Sequence, residues 1–189
     1  MKRFLLTLAM SLIVVGAFAQ EHLSFKGIPI EGSMSSFCQK LQSKGFTKIG
    51  SDNNITMFVG DFTGRQASIG VAATDDGKNV HSVVVIFDSS NEWNTLVNTY
   101  DYYKDLYTRK YGKPTASKEN NPSRGDSNIS LMYELLQGRV IWGSAWDVTG
   151  GTIELSITKA NDYSDGMVII KYRDAQNVEA KIQNDLDDI

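Results

Sequence analysis

Cysteine and histidine, the side chains that most readily act as a thiolate nucleophile, a neutral-pH base or a soft metal ligand, are scarce in this sequence, with one cysteine and two histidines in 189 residues. Covalent catalysis needs a nucleophile, a base and a group that orients the base. His22 lies in the predicted flexible start of the mature chain, and His81 lies in the most apolar predicted strand. Cys38 shares an apolar helix stripe with Phe37 and Leu41, where a thiol is a small buried apolar group. We therefore expect a non-enzymatic protein.

Acidic and amide side chains cluster beside glycines at residues 52–54, 75–76 and 161–165. A calcium loop needs alternating oxygen ligands and a distal glutamate, and none of these clusters has that spacing. All three fall where the backbone is expected to turn, for which Asp and Asn are the usual residues. The sequence has neither a phosphate-binding glycine loop nor a paired-cysteine motif. We therefore predict no metal ion and no cofactor.

Three aromatic side chains are the candidate binding residues. Trp142 and Trp146 are four apart in a predicted strand, so they point to one face about 13 Å from each other. Two such indoles can stack against sugar rings, and Tyr102 is expected to be exposed because it lies off the apolar stripe of its helix. In the alternative that we favour, the indoles pack beneath the central helix, because Val140 and Val148 share their face.

The clearest helical pattern begins near Glu92 and is the element around which the others are arranged. Its apolar residues recur at the spacing of three and four that lines one helix face. Gly112 and Pro114 end the pattern. The apolar stripe comprises Trp93, Leu96, Val97, Tyr100, Tyr103, Leu106, Tyr107 and Tyr111.

Strand patterns lie on both sides of this helix, and residues 115–128 between them are predicted to form a long exposed loop. Residues 152–158 alternate apolar and polar side chains, as in a sheet with one wet face, so the helices should cover the other face. Residues 80–87 are mostly apolar and are predicted to be covered on both faces. Strands are predicted at residues 55–62, 66–73, 80–87, 129–136, 139–148, 152–159 and 167–172.

These elements, with a shorter first helix from Met34 to Gly45, predict an α+β fold. We expect two helix-plus-three-strand antiparallel meander units, at residues 25–88 and 89–174, as a possible tandem repeat, with the helices on one face of the sheet. This layout resembles that of secreted β-lactamase inhibitor proteins, which grip an enzyme with a concave sheet. The resemblance implies a sheet face that holds a protein, and it transfers no site residues.

The first 19 residues have the pattern of a signal peptide. A basic start is followed by an apolar run at residues 4–15, which is too short to span a bilayer about 30 Å thick, and by Ala17 and Ala19 at a cleavage site. Removal of Lys2 and Arg3 leaves 17 of the 19 basic residues against 22 acidic ones, a net charge of −5. That charge does not favour nucleic acid.

Residues 25–33 read Phe-Lys-Gly-Ile-Pro-Ile-Glu-Gly-Ser and come soon after the signal peptide. This stretch, with a helix after it, resembles the opening of a group of uncharacterised exported proteins from gut Bacteroidota. The resemblance implies a compartment and a lineage, and it carries no activity.

The sequence thus predicts a signal peptide at residues 1–19 and a single α+β domain at residues 20–174. Residues 175–189 are predicted to form a short amphipathic helix or a frayed tail. The predicted function is an exported binding module in the periplasm or outside the cell, for a protein partner, with no membrane anchor after signal removal. The alternative is carbohydrate binding through Trp142, Trp146 or Tyr102. A monomer and a homodimer both stay open.

The first testable prediction concerns processing. Expressed from its own start in a Gram-negative cell, the protein is expected to accumulate outside the cytoplasm with Gln20 as its first residue, because the small residues before it match a cleavage site. Mass spectrometry of the exported protein identifies its first residue. Exported protein that retains Met1 would contradict the prediction.

Overall fold

The computed structural model describes residues 21–120, 128–160, 164–187 and 189. The predicted signal peptide and residues 161–163 of the third turn cluster lie outside the described residues. The strands are β1 (Ser24–Phe25), β2 (Ile28–Pro29), β3 (Thr47–Asp52), β4 (Ile55–Phe62), β5 (Arg65–Ala73), β6 (Val80–Ile86), β7 (Ala116–Asn120), β8 (Ile141–Val148), β9 (Gly151–Lys159) and β10 (Gly166–Asp174). The helices are α1 (Met34–Ser43), α2 (Trp93–Tyr111), α3 (Asn128–Leu136) and α4 (Ala175–Asp187).

Eight of the strands form one antiparallel sheet in the order β3-β4-β5-β6-β10-β9-β8-β7, and β1 pairs with β2 in a separate hairpin. The predicted α+β class with an antiparallel sheet is confirmed. Strands β3 to β6 run in sequence from one edge of the sheet to its centre, and β7 to β10 run from the other edge. The two series meet where β6 pairs with β10, with Val85 opposite Ile170.

Each series has four strands, whereas the predicted repeat had three strands in each unit. The strand candidates before α2 did not include the edge strand β3, and those after α2 did not include the edge strand β7, which lies inside the predicted exposed loop. Every residue of both edge strands is exposed. An edge strand needs only the backbone hydrogen bonds of one neighbour, so it can form without an apolar pattern.

The prediction of a strand at residues 129–136 is wrong, because this segment belongs to α3. Its buried side chains, Leu131, Met132 and Leu135, share one helix face. They pack against α2 and the strands β9 and β10. A Cβ atom at Gly166 of β10 would lie 2.8 Å from Leu135 and 2.5 Å from Leu96, so this close packing depends on glycine.

The apolar stripe predicted for α2 lies at the centre of the core. Trp93, Leu96, Tyr100, Tyr103 and Tyr107 are buried, and α2 lies over β8, β9 and β10. The helix ends at the predicted glycine, which has a φ of 87°. Only glycine adopts such a backbone angle at little steric cost.

The helices α1, α2 and α3 lie on the same face of the sheet. Tyr172 on this face contacts Tyr107 of α2. Thr56 is linked to Tyr172 through consecutive strand pairings, so it lies on this face too, and it hydrogen-bonds Cys38 of α1. The β1–β2 hairpin packs here as well, since the ring of Phe25 lies 5.2 Å from that of Tyr172.

The helix α4 follows β10 directly and lies against the start of β6, where Asn177 donates a 2.9 Å hydrogen bond to the carbonyl of Val80. Two of the three apolar residues that suggested an amphipathic tail, Ile182 and Leu186, are exposed. Among the described helices, none is long and apolar enough to cross a membrane.

The second prediction tests the buried face of α2. Leu96 is 2% exposed, so Leu96→Ala removes packed methyl groups and is expected to lower the free energy of unfolding by about 2 to 5 kcal/mol. The control is Asn98→Ala, because Asn98 is exposed on the same helix and its truncation is expected to change stability by less than about 0.5 kcal/mol. Chemical denaturation measures both, and equal losses would contradict this packing.

Candidate functional site

Alternate side chains of the sheet point away from α1, α2 and α3, and we call the surface that they form the open face. On β10, Tyr172 lies under α2, whereas Lys171 and Arg173 point to the opposite side, because successive residues of a strand alternate. Cross-strand partners share a face, so Val84, which pairs with Lys171, lies on the open face. Its half-buried or exposed members include Ile55, Met57, Val59, Val84, Ile86, Met167, Ile169, Lys171, Arg173, Thr152, Glu154, Ser156, Thr158, Ile141, Gly143 and Ala145.

The alternation in β9 confirms the predicted wet face. Ile153, Leu155 and Ile157 are buried under α2, and the polar residues between them are half-buried. The prediction that residues 80–87 are covered on both faces is wrong, because Val84 and Ile86 are only half-buried. The strand β6 is central in the sheet and is paired on both edges, and α4 contacts the start of the strand, but Val84 and Ile86 keep part of their surface accessible.

The centre of the open face is apolar. Ile86 pairs with Ile169 across the junction of the two strand series, and Val59 lies in the same cross-strand row. The adjacent row carries Met57 and Val84 with Gly70 between them. Because Gly70 has no side chain, Met57 fills the space above it, and a Cβ there would lie 3.3 Å from the sulfur. Ser68 of β5 lies between Val59 and Ile86 in the first row. The apolar centre therefore covers β6 and β10 and reaches β4 through Met57.

Charged side chains of both signs adjoin this centre. Lys171 lies opposite Glu154 in the register of β10 and β9. The guanidinium of Arg173 lies 3.7 Å from the carboxylate of Glu154. Exposed ion pairs of this kind add little to folding stability. At an interface, however, charges around an apolar centre select partners and orient them.

A shallow depression of about 290 Å³ lies at the β7–β8–β9 end of the open face. It exists because Gly143 has no side chain and Ala145 has only a methyl group, whereas the neighbouring Lys118 and Glu154 have long side chains. The rest of the open face presents a broad surface, with the exposed side chain of Ile141 beside the depression.

The structure places both predicted tryptophans beneath the helices. Trp146 is 1% exposed, packs 5.5 Å from the ring of Tyr107 and donates a 3.0 Å hydrogen bond to the carbonyl of Gly112. Trp142 is half-buried, with its ring edge-on to that of Trp93 at 5.1 Å. Since Trp146 has no open ring face, the two indoles do not form an exposed platform for a sugar.

Tyr102 lies on the outer side of α2 and is 42% exposed. The guanidinium of Arg65 lies 5.2 Å from the centre of its ring, and the ring packs edge-on to that of Tyr103. The structure therefore does not join Tyr102 to the tryptophans in one aromatic surface.

Cys38, His81 and His22, the candidate nucleophile and bases of the sequence, contact different residues in the structure. Burial raises the pKa of the Cys38 thiol, so the thiol stays protonated, and burial lowers the pKa of His81. The imidazole of His81 contacts Ser82 at 2.8 Å. His22 was expected to be flexible, and this expectation is wrong, since its Nδ1 lies 3.0 Å from the buried carboxylate of Asp174.

The sequence did not predict that Asp174 binds the start of the described chain at His22 and Leu23. Its Oδ2 also accepts a 2.9 Å hydrogen bond from the backbone amide of Leu23, 151 positions away. A contact of that separation leaves no local pattern in the sequence.

Comparison of the chain with protein families, with characterised proteins and with solved structures finds no match. The described part of the chain has no group of three or more His, Cys, Asp or Glu side chains placed to hold a metal ion. The function must therefore be argued from the geometry of the surfaces.

The third prediction compares two aromatic residues. Trp146→Ala removes a buried indole and its hydrogen bond, so it is expected to lower the free energy of unfolding by about 3 to 5 kcal/mol. The matched variant Tyr102→Ala removes an exposed ring and is expected to cost less than about 1 kcal/mol.

Chemical denaturation measures both changes, and indole fluorescence is followed while soluble glycans are titrated. Trp93→Phe serves as the background, because Trp93 also emits. A glycan-dependent emission change that is lost in a folded Trp146→Ala variant would contradict the packing described here.

Proposed function

We propose that this chain is an exported, non-enzymatic binding module that holds a protein partner on the open face of its sheet. The observation that carries the proposal is the difference between the two faces of the sheet. Helices α1, α2 and α3 and the β1–β2 hairpin pack on one face, while the centre of the other is mostly apolar. Apolar patches of this kind on a soluble protein commonly mark interaction sites.

The size of the open face suits a protein better than a small molecule. Eight strands spaced about 4.8 Å apart and about eight residues long give a surface of roughly 34 Å by 27 Å, or roughly 900 Å². A standard protein interface takes about 800 Å² from each partner. A small ligand needs an enclosing cleft, and the depression on this face is shallow.

The composition of the open face also supports a protein partner. Its centre is formed by Met57, Val84, Ile86 and Ile169, which are only half-buried. Charges adjoin this centre, as at Lys171. An apolar centre with a polar surround is the usual anatomy of a protein interface. We expect the partner to present an apolar centre with charges that complement those of the open face.

The chemistry of the other candidate residues supports a non-enzymatic role. Cys38 is a protonated thiol within the core. His81 lies in the sheet, where it contacts Ser82. His22 is held by carboxylates, since Glu31 lies 3.7 Å from its Nε2. Among the described contacts, none of these side chains is hydrogen-bonded to both a hydroxyl nucleophile and an orienting carboxylate, since His81 contacts Ser82 and His22 contacts Asp174. The proposed export rests on the signal-peptide pattern of the sequence.

We also propose that the two strand series descend from one helix-plus-meander unit. Each consists of a helix followed by four strands that run from an edge to the centre, α1 with β3–β6 and α2 with β7–β10. The helix α3 departs from this scheme, because it is inserted between β7 and β8, whereas β3 and β4 are joined by a two-residue turn.

The fourth prediction tests the open face by photo-crosslinking in the exporting cell. A photoreactive amino acid at position 84 is expected to give one discrete protein adduct, because Val84 lies at the apolar centre. The matched control carries the same amino acid at position 98, which is exposed on α2. Ile169→Glu, which places a charge in that centre, is expected to remove the adduct without changing the melting temperature by more than a few degrees.

The partner identified from the adduct is then purified, and its Kd for the protein is measured with and without Ile169→Glu. A loss of at least tenfold in affinity supports the proposal. Equal adducts from positions 84 and 98 would contradict it. An adduct formed only between two copies of this chain would replace the proposed partner with a homodimer.

A further inference from the structure

A separate cavity lies on the helix side of the sheet, opposite the open face. It has a volume of about 700 Å³, is open to solvent on one side, and is lined by residues from 21–27, the second half of α2, the turn after β4 and the turn after β8. We call it the tyrosine pocket. Sites for small ligands typically measure about 300 to 1,000 Å³, so its size suits a single small molecule.

Four tyrosines and one phenylalanine are among the residues that line the tyrosine pocket. Tyr103, Tyr107 and Tyr111 enter it from successive turns of α2, and Tyr172 enters it from β10. The rings of Tyr107 and Tyr111 are stacked at 5.9 Å, and Phe62 closes the side near β4. Tyr103, Tyr107 and Tyr172 are buried, so the accessible apolar surface of the pocket comes mainly from Tyr111, Leu106 and Val148, which favours a ligand with an apolar body.

Two tyrosine hydroxyls within the pocket walls hydrogen-bond each other, those of Tyr107 and Tyr172. Burial raises the pKa of both phenols, so both stay protonated at neutral pH. One hydroxyl donates its hydrogen to the other, and the accepting hydroxyl keeps a hydrogen of its own. The described residues supply no acceptor for that second hydrogen, so the pair offers one donor to a ligand.

Two lysines lie among the residues that line the pocket. The Nζ of Lys26 lies 5.8 Å from the ring centre of Phe62, and the Nζ of Lys110 lies 4.9 Å from that of Tyr111. Both side chains are exposed, and the single carboxylate among the lining residues is that of Glu21. The ammonium groups therefore favour a ligand with an anionic end.

The wall formed by the start of the described chain is fixed in place. Asp174 binds the backbone amide of Leu23, and the carbonyl of Leu23 accepts a 2.7 Å hydrogen bond from the amide of Ile30. The backbone of residues 21–23 passes close to Gly150, because glycine has no side chain there. A Cβ atom at position 150 would lie 2.4 Å from the carbonyl oxygen of Glu21. A pocket that is formed before binding loses less entropy when a ligand enters.

We propose that the tyrosine pocket binds a small amphipathic anion, a flat apolar ring system with one sulfonate or carboxylate group. The ring system lies against the half-buried side chains of Leu106, Tyr111 and Val148, and the anionic group lies at the mouth near Lys110 and Lys26. This site is independent of the protein partner on the open face.

The fifth prediction uses the dye 8-anilinonaphthalene-1-sulfonate, an apolar ring system with one sulfonate, on the exported chain. Fluorescence titration is expected to show saturable binding of one dye per chain. Lys110→Gln is expected to weaken dye binding about three- to fivefold, the loss typical of one exposed charge contact. N-phenyl-1-naphthylamine has the same rings without the sulfonate, and its affinity is expected to change less than twofold.

Three further variants serve as controls. Lys113→Gln removes an exposed lysine beyond the end of α2 and outside the pocket lining, and Val84→Glu alters the open face, so both are expected to leave dye binding unchanged. Leu106→Trp fills the pocket and is expected to weaken both dyes at least tenfold, with thermal melting used to verify the fold.

Dye binding that survives Leu106→Trp, or that falls equally for both dyes in Lys110→Gln, would overturn the proposal. Loss of dye binding in Val84→Glu would also overturn it, because the dye would then lie on the open face. The photo-crosslinking outcome does not depend on any of these results.

Discussion

The antiparallel pairing of β6 with β10 is the contact on which the rest of the fold depends. The first strand series ends at the centre of the sheet, and the second begins at the far edge with β7. The chain must therefore cross one face of β10, β9 and β8 before it can start again. The 19-residue helix α2, about 28 Å long, makes that crossing. This crossing fixes which face is covered by a helix, and the opposite face receives no such cover from α2.

A buried polar network holds the far edge of the sheet to that helix. The hydroxyl of Tyr100 donates a 2.9 Å hydrogen bond to Glu119 of β7 and lies 2.7 Å from the hydroxyl of Ser144 on β8. Burial opposes ionisation of Glu119, but hydrogen bonds from Lys104 and Tyr100 hold its pKa below the usual range. The exposed edge strand β7 is thus held to α2 and β8 by the hydrogen bonds of Glu119 and Ser117.

The parts of the fold that follow from local periodicity could be predicted from the sequence. The stripe of α2 and the alternation in β9 each have one covered face, so spacing alone identifies the buried side chains. The run at residues 129–136 carries apolar residues at both strand and helix spacings, and only the space above Gly166 selects the helix. The edge strand β7 and the anchored His22 depend on contacts distant in sequence, with Glu119 and Asp174 satisfied from other elements, so no local pattern predicts them.

The two proposed sites share β10, and the pleat of that strand keeps them apart. Tyr172 points into the tyrosine pocket, whereas Lys171 and Arg173 on either side of it point to the open face. The backbone of β10 is held in register on both edges, by β6 and by β9. A side chain of β10 can therefore be replaced on one face without a change of register that would disturb the other. The chemistry of the two faces differs accordingly. On the covered face, rings and hydroxyls line a pocket with room for one small molecule. On the open face, apolar and charged groups lie across an area that only a macromolecule can cover.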